Sequence, residues 1–464
     1  MTNAVIWGFD GPNKEIINIL KNRGFNIVAH FLEKPAKANE YSYSDLHSGQ
    51  NLPEIFLKAP QKIKSKLAEL FLKDYLIFNI RQSNLEYAEL GNKRRDSFAD
   101  FHLFYYLIDV FYGIIKKNDA KLVIFSNLPH EGADFILYQV AQALEIKTIL
   151  CYQSIFDNRL FMINKLSDMG DLLNTVPALE EPLNITIKKE FEKKLQYMDM
   201  VEDVNQHRKK ILKKITNIRK KTPKILWKLL RGKTTSVNTI LINYACALLR
   251  LKNIDEYSDT LKKCETADID FTKKFIYFPL HLQPEITTTP LGGKYYDQIT
   301  ALEKLSEILP DDFKIYVKEN PKQNELMRPK EFLARMMSIK NVIMAPIKTN
   351  TYDLTKNCQF VATITGTAGW EAITGGKNVL TFGYAWYNNL PGVFKFEERE
   401  NVSEILEYKI NHDELQQKFN ELSKRLARGY VDKEFINYSD QPFDGKENSA
   451  SIAAALKKFW QNNN

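Results

Sequence analysis

Twice along this chain, short uncharged apolar runs alternate with stretches of helix length. That alternation limits the fold more than any other feature. Ala4-Val5-Ile6-Trp7-Gly8-Phe9 is apolar throughout and breaks at Gly11-Pro12. Residues 14 to 22 read as a helix and Asn26 to Phe31 as a second strand. Residues 97 to 117 form a long aromatic helix, Lys121 to Ser126 a buried strand, Ala133 to Leu144 a helix and Lys147 to Cys151 another strand. Runs that are apolar on both faces and joined through helices belong in a parallel sheet covered on both sides. After a charged interval the pattern resumes. Strands are expected at 274–280, 314–318, 342–344, 360–363 and 378–382, with helices near 294–308, 329–337, 352–357 and 368–374. The expectation is an α/β chain with two Rossmann-type doubly wound domains facing a central cleft.

A chain of 464 residues is too long for one ordinary core, which agrees with two large domains. The boundaries expected are 1–185 for the first domain, 186–265 for a basic helical connection, 266–430 for the second domain and 431–464 for a helical tail. Nothing reads as a secretion signal or a membrane span. Cys151, Cys246, Cys264 and Cys358 are far apart and read as reduced thiols, so a cytoplasmic protein is expected. The net charge of +8 is local. Residues 208 to 233 hold twelve Lys or Arg and no acid, and without those twelve the +8 becomes −4. Ile211, Leu212, Ile215, Ile218, Ile225, Leu226 and Trp227 interleave with these cations. This segment reads either as a helix lying on an anionic membrane surface, peripheral to the inner face of a bacterial inner membrane, or as a solvated connection. No nucleic-acid-binding module accompanies the charge.

Four segments at expected strand ends can carry chemistry. Pro279-Leu280-His281-Leu282-Gln283-Pro284-Glu285 is a rigid loop in which His281, Gln283 and Glu285 can hydrogen-bond a ligand, or simply each other. In Tyr316-Val317-Lys318-Glu319-Asn320-Pro321, Lys318 can set an ammonium beside a phosphate and Glu319 can accept from ribose hydroxyls. Thr363-Ile364-Thr365-Gly366-Thr367-Ala368-Gly369-Trp370-Glu371 ends a strand and opens a helix. Free amides at a helix N-terminus favour an anion, and Thr365 and Thr367 add hydroxyls. Ser126-Asn127-Leu128-Pro129-His130-Glu131-Gly132 lies between strand and helix in the first half. There His130 and Glu131 suit acid–base work, or Glu131 merely complements a helix dipole.

Together F-P-L-H-L-Q-P-E, Y-V-K-E-N-P-K-Q, T-I-T-G-T-A-G-W-E-A and G-K-N-V-L-T-F-G resemble the capsule polysaccharide biosynthesis family, whose transferases act with Kdo and with nine-carbon acidic sugars such as pseudaminic acid. The resemblance covers about residues 274 to 395. It implies a GT-B-like fold, with a CMP-linked donor in the second half and a glycan acceptor in the first. It places donor binding on His281, Gln283, Glu285, Lys318, Glu319, Asn320, Pro321, Thr365, Gly366, Thr367, Ala368, Gly369 and Glu371. Many members carry a His-Pro pair on the nucleotide phosphate, and Asn320-Pro321 occupies that position here. His130-Glu131-Gly132 half matches the acidic motif that supplies a catalytic base in related sialyltransferases, so the resemblance gives that role to Glu131 with His130 beside it. The implied reaction moves an acidic ulosonic sugar from CMP to a capsule or other surface glycan, with retention. No cofactor and no metal are expected, since such a donor carries no diphosphate, and no D-x-D pair is expected in any of the loops. Two other readings stay open: a UDP-sugar enzyme with the same two-sheet fold, and a non-catalytic capsule assembly protein at the membrane.

Overall fold

The computed structural model describes residues 1–49, 51–69, 97–188, 204–220, 234–266, 268–283, 285–323, 328–397, 399, 401–437, 439 and 442–463. Its strands are β1 (Thr2–Trp7), β2 (Phe25–Leu32), β3 (Glu40–Ser42), β4 (Leu122–Phe125), β5 (Lys147–Gln153), β6 (Arg159–Ile163), β7 (Phe275–Pro279), β8 (Lys314–Lys318), β9 (Val342–Ala345), β10 (Val361–Thr363), β11 (Val379–Thr381), β12 (Val393–Lys395) and β13 (Ala427–Arg428).

They form two sheets, ordered β13-β6-β5-β4-β1-β2-β3 and β12-β11-β10-β7-β8-β9. The second sheet is parallel throughout. The first is parallel except where β6 pairs with β5 and β13. In both, the chain starts in the middle, builds to one side, then crosses back and builds to the other. This is the doubly wound order of a Rossmann domain, used twice. The central strands are apolar because both faces are covered: Ala4, Val5 and Ile6 in β1, all of β4, and Phe275 to Phe278 in β7 are buried. Right-handed crossovers put the helix Ile16–Asn22, which joins β1 to β2, on the face opposite Ala133–Ala143, which joins β4 to β5.

The two lobes share one apolar seam. Phe156, in the β5–β6 turn, packs on Trp386 (5.5 Å between centroids) and Phe419 (5.3 Å), while Trp370 lies tilted against Trp386 at 5.0 Å. Trp370 is 1% exposed. The N-terminal lobe is finished by the end of the chain. Ala427–Arg428 falls in the stretch expected to belong to the second domain, yet it pairs antiparallel with β6. The helix Gly445–Asn462 then packs against β13 and the helix Ile16–Asn22.

The basic interval forms the helix Val204–Lys220, packed on the long helix Thr234–Cys264. Two apolar positions of the stripe read from sequence as membrane-facing turn to the neighbouring helix instead, while Leu212 is exposed. Ile211 and Ile215 are buried against Ala247 and Ile254, so these apolar positions hold the helix pair together. Arg208 pairs with Asp255 at 2.9 Å. Residues 221 to 233, with Ile225, Leu226 and Trp227, lie outside the described residues. Among those described, no helix is long and apolar enough to cross a membrane.

Candidate functional site

A cavity of about 550 Å³ opens between the lobes, at the carboxyl ends of β7 and β10. Those two strands are neighbours on which the chain leaves in opposite directions, so their divergent loops leave a crevice. The C-terminal lobe lines it with Tyr277, Leu280, His281, Glu285, Lys318, Glu319, Asn320, Pro321, Thr351, Thr365, Gly366, Thr367, Ala368 and Glu371. The N-terminal lobe contributes Asn127, Tyr152, Gln153, Ser154 and Phe161, and the returning chain Asp432, Glu434 and Phe435.

At the floor, the helix Thr367–Thr374 begins at Gly366 with no side-chain cap. The first amides of a helix have no partner within it. Those of Thr367 and Ala368 meet no acceptor among the described residues and sit on the cavity wall. The loop is held from behind. His281 Nε2 accepts from the Ile364 amide (3.2 Å) and lies 2.8 Å from Thr363 Oγ1. The Gly366 amide in turn donates to Thr363 Oγ1 at 3.3 Å. Burial, with Arg328 nearby, pushes His281 down to about 3, so its ring is neutral at physiological pH and Nε2 is free to accept. The Tyr387 hydroxyl donates to the Gly366 carbonyl at 2.5 Å. The glycines follow from this packing. A Cβ on Gly366 would stand 2.6 Å from His281 Cε1, and one on Gly369 would stand 2.3 Å from Tyr387 Oη.

Lys318 ends β8 half-buried, with Nζ donating to Thr351 Oγ1 at 3.1 Å. Burial lowers its pKa. Asn320 accepts from the Lys322 amide through Oδ1 (3.0 Å), which leaves its Nδ2 without an acceptor among the described residues.

Other expected donor residues are engaged inside the protein. Glu319 is 2% exposed and contacts Arg328 Nη2 (3.2 Å), the Tyr257 hydroxyl (3.2 Å) and the Asn320 amide (2.8 Å). Desolvation raises its pKa and Arg328 opposes that rise. This geometry is that of a buried ion pair under the loop, and the ribose contact expected from sequence gives way to it. Gln283 lies outside the cavity lining: its amide group bonds the Tyr296 carbonyl and Gln298. The Thr365 hydroxyl donates to the Thr287 carbonyl at 2.6 Å. Gly369 is also absent from the lining.

The loop expected to face these residues from the first half behaves differently. Asn127 reaches the cavity, but His130 and Glu131 are not on its wall. His130 is buried, with Nδ1 2.6 Å from the Leu128 carbonyl. Asp134 gathers the loop, accepting from the amides of His130 (2.7 Å), Glu131 (2.8 Å) and Phe135 (2.7 Å). Burial, then the charge on Glu131, push Asp134 up to about 7 even so.

Arg328 and Asp432 were not legible as site residues. Arg328 is 1% exposed and bonds the His281 carbonyl (2.8 Å), Glu319 and Gln323 (3.0 Å), tying both C-terminal loops together. Asp432 ahead of Lys433-Glu434 reads from sequence as a helix cap and no more. A D-x-D pair, Asp268-Ile269-Asp270, does occur, before β7 and therefore at the strand end away from the cavity.

No curated protein matches this chain in sequence. Among solved structures, the chain is similar to Thermosulfurimonas dismutans KpsC, beta Kdo 2,7 transferase, at 9% identity and a TM-score of 0.36, over 98% of this chain and 99% of that one. It is also similar to the beta Kdo 2,4 transferase of KpsC from the same organism, at 12% identity and a TM-score of 0.30, over 67% and 82%. A third similar structure is UDP-GlcNAc 2-epimerase from Methanocaldococcus jannaschii, at 11% identity and a TM-score of 0.22, over 99% and 100%. Likenesses at these scores carry no argument about activity. The sequence profile described as capsule polysaccharide biosynthesis protein matches residues 232–436, which include every C-terminal residue of the cavity up to the Asp432 segment. That match spans 205 of the 464 residues, so the likeness to the capsule polysaccharide biosynthesis family holds for this part of the chain.

Proposed function

We propose that the chain is a glycosyltransferase that moves an acidic ulosonic or nonulosonic sugar, such as Kdo or pseudaminic acid, from a CMP donor to a capsule or other surface glycan. One observation carries this reading. Thr367 and Ala368, whose amides are open, line a single interlobe cavity together with Lys318 and Asn320. Donors arranged so suit one phosphate group, whose leaving oxygen gains charge as the glycosidic bond breaks. Glu371, further along the same helix and on the same wall, suits the ribose hydroxyls. The acceptor enters from the side of Asn127, Gln153 and Ser154. Retention of configuration is part of the proposal, and no metal is assigned a role.

The test is thermal-shift titration with CMP, UDP and GDP on the wild type, Lys318→Ala and Thr367→Ala. Binding to the folded state raises the melting temperature by mass action. Stabilisation by CMP alone, weakened in both variants, is expected. Transfer from CMP-Kdo and CMP-pseudaminic acid to a glycan then identifies the sugar. A shift with UDP alone would overturn the donor assignment, and no shift with any nucleotide would favour an assembly role.

The exposed Lys209, Lys210, Lys213 and Lys220 further support an anionic membrane surface as partner. Co-sedimentation with phosphatidylglycerol vesicles at low salt, lost at about 0.5 M salt, is the expected outcome.

A further inference from the structure

The N-terminal lobe meets the cavity with Asn127, Tyr152, Gln153 and Ser154, and none of these is acidic. A hydroxyl acceptor entering on that side still needs a group to take its proton. Of the carboxylates on the wall, Glu319 is paired with Arg328, and Glu285 Oε1 accepts from the Ile286 amide at 3.3 Å. Glu371 sits on the helix whose first amides face the phosphate position. Asp432 and Glu434 remain, both on the chain segment that returns to the N-terminal lobe.

We propose that Asp432 is the catalytic base that deprotonates the acceptor hydroxyl, an assignment that rests on the transferase reading above. Gln153, at the end of β5, fixes its backbone: Oε1 accepts from the Val431 amide (2.9 Å) and the Asp432 amide (3.4 Å), while Nε2 donates to the Arg159 carbonyl (2.8 Å). One residue earlier, the Tyr430 amide donates to Asn448 Oδ1 at 2.8 Å. The side chain is held by one oxygen. Asp432 Oδ1 accepts from the Glu434 amide at 2.8 Å, and its second oxygen has no partner among the described residues. A carboxylate anchored by one oxygen and open at the other is oriented for proton abstraction. In the step proposed, the open oxygen takes the acceptor O–H proton as the acceptor oxygen bonds to the anomeric carbon on the face from which CMP departs, which keeps the configuration. The bond from that carbon to the phosphate oxygen breaks, and CMP leaves with the electron pair. The proton rests on Asp432 and then passes to water.

Asp432→Asn is the discriminating variant, because asparagine caps a helix as well as aspartate and leaves the backbone bonds in place. The expected result is a fall in kcat of about 100-fold or more, the range for loss of a general base. The acidic limb of the pH–rate profile should vanish, while KM for the donor and the CMP-induced thermal shift stay as in the wild type. Glu434→Gln should lose less than about fivefold. Transfer by Asp432→Asn at more than a tenth of the wild-type rate would overturn the assignment, as would an equal loss in Glu434→Gln. A wild-type protein that binds CMP yet transfers no CMP-linked acidic sugar would overturn the transferase reading itself, and this assignment with it.

Discussion

The two lobes repeat one topology and put the same structural position to opposite uses. In each, a loop leaves the strand beside the central one and enters a helix: β4 into Ala133–Ala143, and β10 into Thr367–Thr374. In the N-terminal lobe the amides around that helix start converge on the Asp134 carboxylate, a side chain of the protein itself. In the C-terminal lobe the equivalent amides of Thr367 and Ala368 are left open, and the loop is braced from behind by His281, Thr363 and Tyr387. A helix start attracts negative charge in either case. One lobe supplies that charge internally and closes the position, and the other keeps it for a ligand.

The largest expected effect removes the support under the open lobe. Arg328→Met leaves Glu319 buried without its cation, which costs about 3–5 kcal/mol. Denaturant unfolding should show that loss, and the CMP-induced thermal shift should disappear. The glycines sharpen the contrast next. Gly369→Ala forces a Cβ against Tyr387 Oη and should cost about 1–3 kcal/mol through overpacking. Gly132→Ala strains the backbone at φ +102° and should cost about 1–3 kcal/mol. Only the first should also weaken CMP binding.

The pH dependence of stability should carry opposite signs in the two lobes. His281 is held near 3, below the usual 6.5, so the unfolded chain takes up a proton in the interval that the folded lobe refuses. Its contribution therefore rises with pH from about 3 to 6.5. Asp134 is raised to about 7 from 3.8, so the folded lobe holds its proton where the unfolded chain has lost it. Its contribution is complete below about 4 and falls as pH rises through 7. Between about pH 4 and 6.5 the two offset each other, so relative to the wild type the melting temperature should rise with pH in Asp134→Asn and fall with pH in His281→Gln. The smallest effect concerns Glu131. It is half-exposed and off the cavity wall, so Glu131→Gln should change transfer less than tenfold. A larger loss would return the catalytic base to the N-terminal loop.

The alternation of apolar runs and helices was enough to read the central strands of both sheets, because strands covered on both faces are mostly apolar, whereas β3, β6, β12 and β13 were not expected. Lys318 and the turn Thr365 to Ala368 were legible because a strand, small residues and a helix start stand next to each other in sequence. Arg328 was not, since its meaning comes from three partners, at 281, 319 and 323, that only the folded loops bring together. Gly366 and Gly369 were expected to bind the donor, yet the groups that occupy their missing Cβ positions are His281 and Tyr387. The two-residue strand β13 is too short to leave a pattern, and Asp432 gains its position from Gln153, 279 residues earlier.

The return of the chain to its first lobe has a consequence for how the protein is made. The antiparallel edge at β13 and the cover over the helix Ile16–Asn22 come from residues 427 to 462. During synthesis the N-terminal sheet emerges first but stands with one edge unpaired and one helix uncovered until the ribosome has completed the other lobe. An unpaired edge of this kind invites pairing with other chains. The nascent protein should therefore depend on holding factors until residues 427 to 462 have emerged. A stop codon near 425 should leave an aggregating product, not an independently folded half.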